Sequence, residues 1–316
     1  MGVISQILIQ RTEEGIHRAG ESVTGVVKYA IDEPTEYKDI SLSLIGKGQC
    51  AWSRDGGSGE YRGNEEYINR KANILQKPKN VTIVVPAGCY EYPFQFILPK
   101  DIPPSFKDEF CEITYVIVLE FVKARLINST KQFKVELSVY GNVKPTFTSP
   151  IIFGMEKSLL KPFSARRHII NLKVEVAKTI LTPGDNINLN YVITNESAIA
   201  VKGVRIELLN KTKYTADCGE TKYYEKVFKE CTISQSSCES DSIVKSRAIV
   251  PTLAELYTIQ HTKVISKEYF LKLTLELPIP YRNESAELEV VIGETCREDD
   301  IPPPYISEKE IKVLDK

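Results

Sequence analysis

Apolar and polar side chains alternate singly along most of the chain. Ser41-Leu42-Ser43-Leu44-Ile45, Val81-Thr82-Ile83-Val84-Val85 and Lys134-Val135-Glu136-Leu137-Ser138-Val139 keep this rhythm in the first half. Asn171-Leu172-Lys173-Val174-Glu175-Val176, Val204-Arg205-Ile206-Glu207-Leu208 and Leu271-Lys272-Leu273-Thr274-Leu275-Glu276-Leu277 keep it in the second. Successive strand residues face opposite ways, so a period of two gives one face to a core and the other to water. Gly, Pro and Asn-Glu or Asp-Glu pairs break these runs at short intervals, which suits hairpins rather than βαβ crossovers. Residues 102–111 leave room for one turn, and residues 234–244 are ambiguous. The pattern predicts an all-β chain of antiparallel sandwiches.

The pattern also repeats. Arg18-Ala19-Gly20-Glu21-Ser22-Val23 lies over Thr182-Pro183-Gly184-Asp185-Asn186-Ile187, and without a gap Ile40, Leu42 and Leu44 fall on Val204, Ile206 and Leu208. Later, Leu98-Pro99 is matched with Val250-Pro251 and Tyr115-Val116-Ile117 with Tyr269-Phe270-Leu271. The reading is a tandem pair of immunoglobulin-like β-sandwich domains. The alternation stops between Gly141 and Ala165, where Pro145, Pro150, Gly154 and Pro162 fall. This predicts a first domain over residues 1–145, a linker over 146–165, a second domain over 166–293 and a short flexible tail over 294–316.

Composition narrows the class. The 316 residues suit two domains, and 42% hydrophobic with 26% charged residues is ordinary for a globular chain. A net charge of −1 gives no global attraction to nucleic acid. No run of about 18 apolar residues offers a membrane-spanning helix. Met1-Gly2-Val3-Ile4-Ser5-Gln6 lacks the look of a signal peptide, and Gln6 stands where a myristoylation motif needs Ser or Thr. Seven scattered cysteines are therefore expected as reduced thiols, and sequons such as Asn80-Val81-Thr82 as coincidences.

Ala19-Gly20-Glu21-Ser22-Val23-Thr24-Gly25, followed by Leu44-Ile45-Gly46 and Trp52, resembles the opening of an arrestin N-domain. Gly88-Cys89-Tyr90-Glu91-Tyr92-Pro93-Phe94-Gln95-Phe96-Ile97-Leu98-Pro99 is the most specific stretch. With Asp101-Ile102-Pro103-Pro104-Ser105-Phe106 and Cys111-Glu112-Ile113-Thr114-Tyr115-Val116 it is similar to the signature of the arrestin-domain-containing proteins, or α-arrestins. Thr182-Pro183-Gly184-Asp185 and Leu277-Pro278-Ile279-Pro280 resemble the C-domain elements. Phe94 and Phe96 flank Gln95, so both rings should enter one core. Structural roles account for this block, which marks a fold and no active site.

Pro302-Pro303-Pro304-Tyr305 is a PPxY motif. Consecutive prolines hold a polyproline II helix, which docks into an aromatic groove at low entropic cost. Pro302 and Pro303 would pack between rings of a WW domain and Tyr305 would fill a neighbouring pocket. Chance supplies PPxY in about 4% of random chains of this length. In α-arrestins such motifs recruit HECT-type ubiquitin ligases to membrane-protein cargo. The resemblance thus implies a cytoplasmic adaptor, peripheral to plasma membrane and endosomes, that promotes ubiquitination, endocytosis and sorting of cargo whose tails it binds. One motif is present where the family commonly carries two, which removes avidity from a second site. The alternative is an arrestin-fold scaffold of a retromer-like sorting complex, working without a ligase.

Two basic stretches, Lys123-Ala124-Arg125 with Lys131 and Lys134, and Lys161 with Arg166-Arg167-His168-Lys173, suggest a patch for phosphoinositides or acidic cargo tails. Lys123, Arg125, Arg166 and Arg167 are its candidate residues, against the plainer reading of a solvated strand face. Cys218, Cys231 and Cys238 lack zinc-site spacing, and His17, His168 and His261 stand apart from any nucleophile arrangement. The sequence points to no metal, no cofactor and no catalytic residue.

Overall fold

The computed structural model describes residues 2–10, 12, 15–54, 56–57, 59–75, 81–124, 130–144, 150–159, 168–235 and 237–295. Among these the regular elements are all strands. The first half holds β1 (Val3–Ile9), β2 (His17–Arg18), β3 (Ser22–Ile31), β4 (Thr35–Ser53), β5 (Glu60–Asn73), β6 (Ile83–Val85), β7 (Gly88–Ile97), β8 (Phe106–Lys107), β9 (Cys111–Lys123), β10 (Thr130–Leu137) and β11 (Val139–Tyr140). The second holds β12 (Ile151–Leu159), β13 (His168–Val176), β14 (Ile180–Leu181), β15 (Asn186–Glu196), β16 (Gly203–Thr215), β17 (Thr221–Gln235), β18 (Ser242–Pro251), β19 (Ile265–Glu276) and β20 (Glu284–Ile292).

Each half is a sandwich. In the first, the sheet β1-β3-β7 faces β10-β9-β4-β5, with β6 on β4 and β8 on β9. Val23, Val27, Phe94 and Phe96 from one sheet and Leu42, Leu44, Ile117 and Leu119 from the other share one core. In the second, β12-β13-β15-β18 faces β14-β20-β19-β16-β17, and Ile187, Tyr191 and Val250 meet Ile206, Leu208 and Leu273. Every one of these side chains stands on the inward parity of its strand, as the alternation requires.

The repeat is physical. Gly20 and Gly184 have φ of 90° and 88°, where a Cβ is disfavoured. Both turns close alike: the Glu21 N–H donates to the Arg18 carbonyl (3.1 Å) and the Asp185 N–H to that of Thr182 (2.9 Å). The acidic side chains then accept the N–H of Arg18 and of Thr182, each at 3.0 Å. Tyr115 and Tyr269 also correspond, since Tyr115 pairs with Gly46 and Tyr269 with Asn210, a position in register with it.

Two expectations are corrected. Val23 pairs with Phe96 and Ile187 with Val250, so Phe96 rather than Leu98 is the counterpart of Val250. Leu98 instead donates its N–H to the Glu21 carbonyl (2.9 Å), the part Thr252 plays toward Asp185 (3.1 Å). Within the stretch read as a linker, Ile151–Leu159 is a strand, paired with β13 from Ile151↔Val176 to Leu159↔His168. Ile151, Phe153 and Met155 pack against the second core and Leu159 is buried in it, so this strand belongs to the second sandwich. At Gly154 a Cβ would collide with the Leu172 carbonyl, which explains a glycine inside a paired strand.

Candidate functional site

Pro302, Pro303 and Tyr305 lie outside the described residues, as do Arg125, Arg166 and Arg167. Of the basic stretches, Lys123 ends β9 half-buried, on the parity that faces the core. Lys131 shares that side of the sheet: its ammonium donates to the Val3 carbonyl (2.6 Å) and stands 5.2 Å from the Phe133 ring centre. Lys134 is on the opposite face of β10, and Lys173 is exposed on β13 in the other domain. The described lysines of the two stretches are therefore divided over several surfaces.

What the fold does assemble is a polar and aromatic seam between the two sandwiches. The first core runs on into Tyr214, Ala216, Ile259, Val264 and Ile265 of the second half, so the halves are packed and not merely tethered. Asp108, just after β8, is one pivot. One carboxylate oxygen accepts the N–H groups of Phe110 (2.9 Å) and Cys111 (2.7 Å), and the other accepts the Tyr214 hydroxyl (2.5 Å). Burial first, then Asp108, pushes the Tyr214 phenol well above its ordinary range.

Lys267 is the second pivot. Its ammonium stands 5.2 Å from the ring of Phe106 in the first domain, 5.3 Å from Tyr257 and 5.9 Å from Tyr269. Burial lowers its pKa, opposed by Asp108. A desolvated ammonium held by ring quadrupoles is a strong form of cation–π contact. The Tyr257 hydroxyl meanwhile donates to the Ser105 carbonyl (3.2 Å).

Further contacts extend the seam in both directions. The Asp217 N–H donates to the Arg62 carbonyl (2.9 Å), and its carboxylate accepts the Asn64 N–H and side-chain amide (3.1 and 3.2 Å). Glu65 accepts the Thr262 hydroxyl (2.9 Å) and the Lys263 N–H (2.6 Å). At the far end Arg18 on β2 meets Glu294 at 2.7 Å. A cavity of about 340 Å³ lies beside that ion pair, walled by Tyr140, Val143, Pro183 and Tyr257.

Among the described residues, the seam acids Asp108, Asp217, Glu65 and Glu294 each accept hydrogen bonds from partners in the seam. Among the described residues no group of three His, Cys, Asp or Glu side chains could hold a metal ion. The sequence reading missed Asp108, Tyr214 and Lys267. One signal was available: the inward parity of β19, followed back from Leu271 through Tyr269, lands on Lys267.

Comparison with known proteins gives two consecutive family matches. Residues 6–144 match the arrestin (or S-antigen) N-terminal domain and residues 166–295 the arrestin (or S-antigen) C-terminal domain. Arrestin domain-containing protein 5 of Homo sapiens is 20% identical over 305 residues, covering 92% of this chain and 88% of that protein. Arrestin domain-containing protein 17 of Caenorhabditis elegans is 25% identical over 224 residues, 67% of this chain and 52% of the relative. Arrestin domain-containing protein 1 of Homo sapiens is 24% identical over 212 residues, 64% and 45% of the two chains. The matched lengths thus span about half of the last two relatives.

Proposed function

Because the chain belongs to the arrestin family, with both arrestin domains present, we propose that it acts as a non-enzymatic trafficking adaptor. The two sandwiches hold a membrane-protein tail or a regulator, and Pro302, Pro303 and Tyr305 bind a WW domain of a HECT-type ubiquitin ligase. Tethering raises the local concentration of ligase at a cargo lysine, so ubiquitination, endocytosis and endosomal sorting follow from proximity. On this reading the protein works at the cytoplasmic side of plasma membrane and endosomes; no described helix is long and apolar enough to cross a membrane.

The observation that carries the reading is where the motif falls. The last described strand ends at Ile292, the arrestin C-terminal match ends at residue 295, and the PPxY begins at Pro302 in the sequence after both. A linear ligand needs no fold of its own, and a proline-rich one loses little entropy on docking. Lys123, Arg125, Arg166 and Arg167 remain the proposed basic contacts for acidic cargo tails or phosphoinositides.

The test is binding of a peptide of residues 294–316 to a panel of WW domains, with Tyr305→Ala as the control. Micromolar binding lost on substitution is expected. No binding to any WW domain, or binding indifferent to Tyr305, would remove ligase recruitment and favour the sorting-scaffold alternative.

A further inference from the structure

Cys50 on β4 and Cys111 on β9 are direct cross-strand partners. Their pairing is of the non-hydrogen-bonded kind. The Ala51 N–H donates to the Phe110 carbonyl (2.8 Å), which makes the neighbouring pair the bonded one. Cys111 turns both backbone groups to Asp108: its N–H donates to the carboxylate (2.7 Å) and its carbonyl accepts the Asp108 N–H (2.9 Å). Opposed residues of this kind have Cα atoms about 4.5 Å apart and side chains on one face. That lies inside the span of about 4.4–6.8 Å over which a disulfide closes.

Both cysteines are free and buried, and Cys50 reaches across the seam. Its Sγ donates to the Thr215 carbonyl of the second domain at 3.2 Å. We propose that Cys50 and Cys111 are a redox-modification site, a dithiol that closes to an intramolecular disulfide when the domain seam opens and so gives up the bond to Thr215.

The electrons balance with a small disulfide such as glutathione disulfide as oxidant. The Cys50 thiolate attacks one of its sulfurs, forming a mixed disulfide and releasing a glutathione thiolate. The Cys111 thiolate then attacks the Cys50 sulfur, forming the Cys50–Cys111 bond and releasing the second thiolate. The two cysteines lose two electrons and two protons, and the oxidant becomes two thiols.

The seam is the gate. Burial, the largest cause in both cases, pushes the two thiols above their ordinary range; Asp217 adds to it at Cys50, and Cys50 and Asp108 add to it at Cys111. A protonated thiol is a poor nucleophile, so the closed seam keeps the pair inert and an opened seam exposes it to water and oxidant. Once oxidised, Cys50 has no S–H to offer Thr215, which leaves the opened arrangement favoured.

The full chain is incubated with glutathione disulfide, alkylated in denaturant and digested without reductant for mass spectrometry. The expected product joins the Cys50 and Cys111 peptides with loss of two hydrogens. Tyr214→Phe, which removes the hydroxyl's bond to the Asp108 carboxylate across the seam, should form it at least about tenfold faster, the equivalent of about 1.4 kcal/mol of seam. The proposal is overturned if both cysteines stay alkylatable in wild type and variant alike. It is equally overturned if either joins any other cysteine instead.

Discussion

Gly63 on β5 lies directly against the backbone of the second domain, which makes Gly63→Ala a wedge. A Cβ there would stand 2.5 Å from the Thr215 carbonyl oxygen, 2.8 Å from the Cys50 sulfur and 3.3 Å from the Ala216 Cα. Two of those neighbours are backbone atoms and cannot rotate aside, so residues 215–217 must move. Moving them strains the Asp217–Arg62 backbone bond and the Cys50–Thr215 bond, of about 1 kcal/mol each. Overpacking adds about 1–3 kcal/mol. The exposed Asn64–Asp217 contact adds little. A loss of about 3 kcal/mol is expected in urea unfolding followed by the fluorescence of Trp52, the single tryptophan, buried in the first core. Gly57→Ala serves as the control, because nothing lies within 4 Å of a Cβ there, and it should change stability by less than about 0.5 kcal/mol. Hydrogen exchange should rise at residues 62–64 and 214–217 before it rises in β3 or β9. If Gly63→Ala unfolds at the same urea concentration as Gly57→Ala, the seam is not a packed interface and the reasoning fails.

Two other perturbations probe the same construction. Tyr214→Phe keeps the ring against Phe110 and removes the hydroxyl from Asp108; a bond to an ionised group is worth about 1.5–3 kcal/mol. A double-mutant cycle with Asp108→Ala that gives a coupling below about 0.5 kcal/mol would deny that this pair joins the domains. Alkaline pH should also loosen the fold, because burial raises the phenols of Tyr67, Tyr115 and Tyr269 and pushes Tyr257 up to about 12, against 10.0 for a free tyrosine. Above pH 10 the unfolded chain sheds these protons while the folded one keeps them, so stability falls as pH rises, by at most about 1.4 kcal/mol per unit for each phenol. A urea midpoint that stays level between pH 10 and 11, in wild type and in Tyr115→Phe alike, would contradict this.

Which parts of the structure were legible in the sequence follows from what each signal can resolve. Alternation reports parity, and parity gave the all-β class, the two cores and the inward rings of Phe94 and Phe96. It cannot report a slip of two, because moving a strand by two residues leaves every side chain on its original face. That is why Val250 was matched with Leu98 when its counterpart is Phe96, while the Gly20 and Gly184 turns, fixed by backbone sign and an acidic side chain, fell in register. Ile151–Leu159 was lost for another reason: Pro150 and Pro162 punctuate the stretch, and Gly154 inside it marks a close approach to Leu172, not a loop. The PPxY was visible because its four residues are adjacent in the sequence. The seam was not, because Tyr214 finds Asp108 across 106 positions and Lys263 finds Glu65 across 198. Asp108 and Glu65 look like solvated carboxylates until the second domain arrives beside them. Lys267 differs from both, since it breaks the parity of its own strand: a cation at a core-facing position must find aromatic or anionic company to be tolerated there. Its rings come from both domains, so that local breach of pattern is a place where the strand rhythm itself marks an interface.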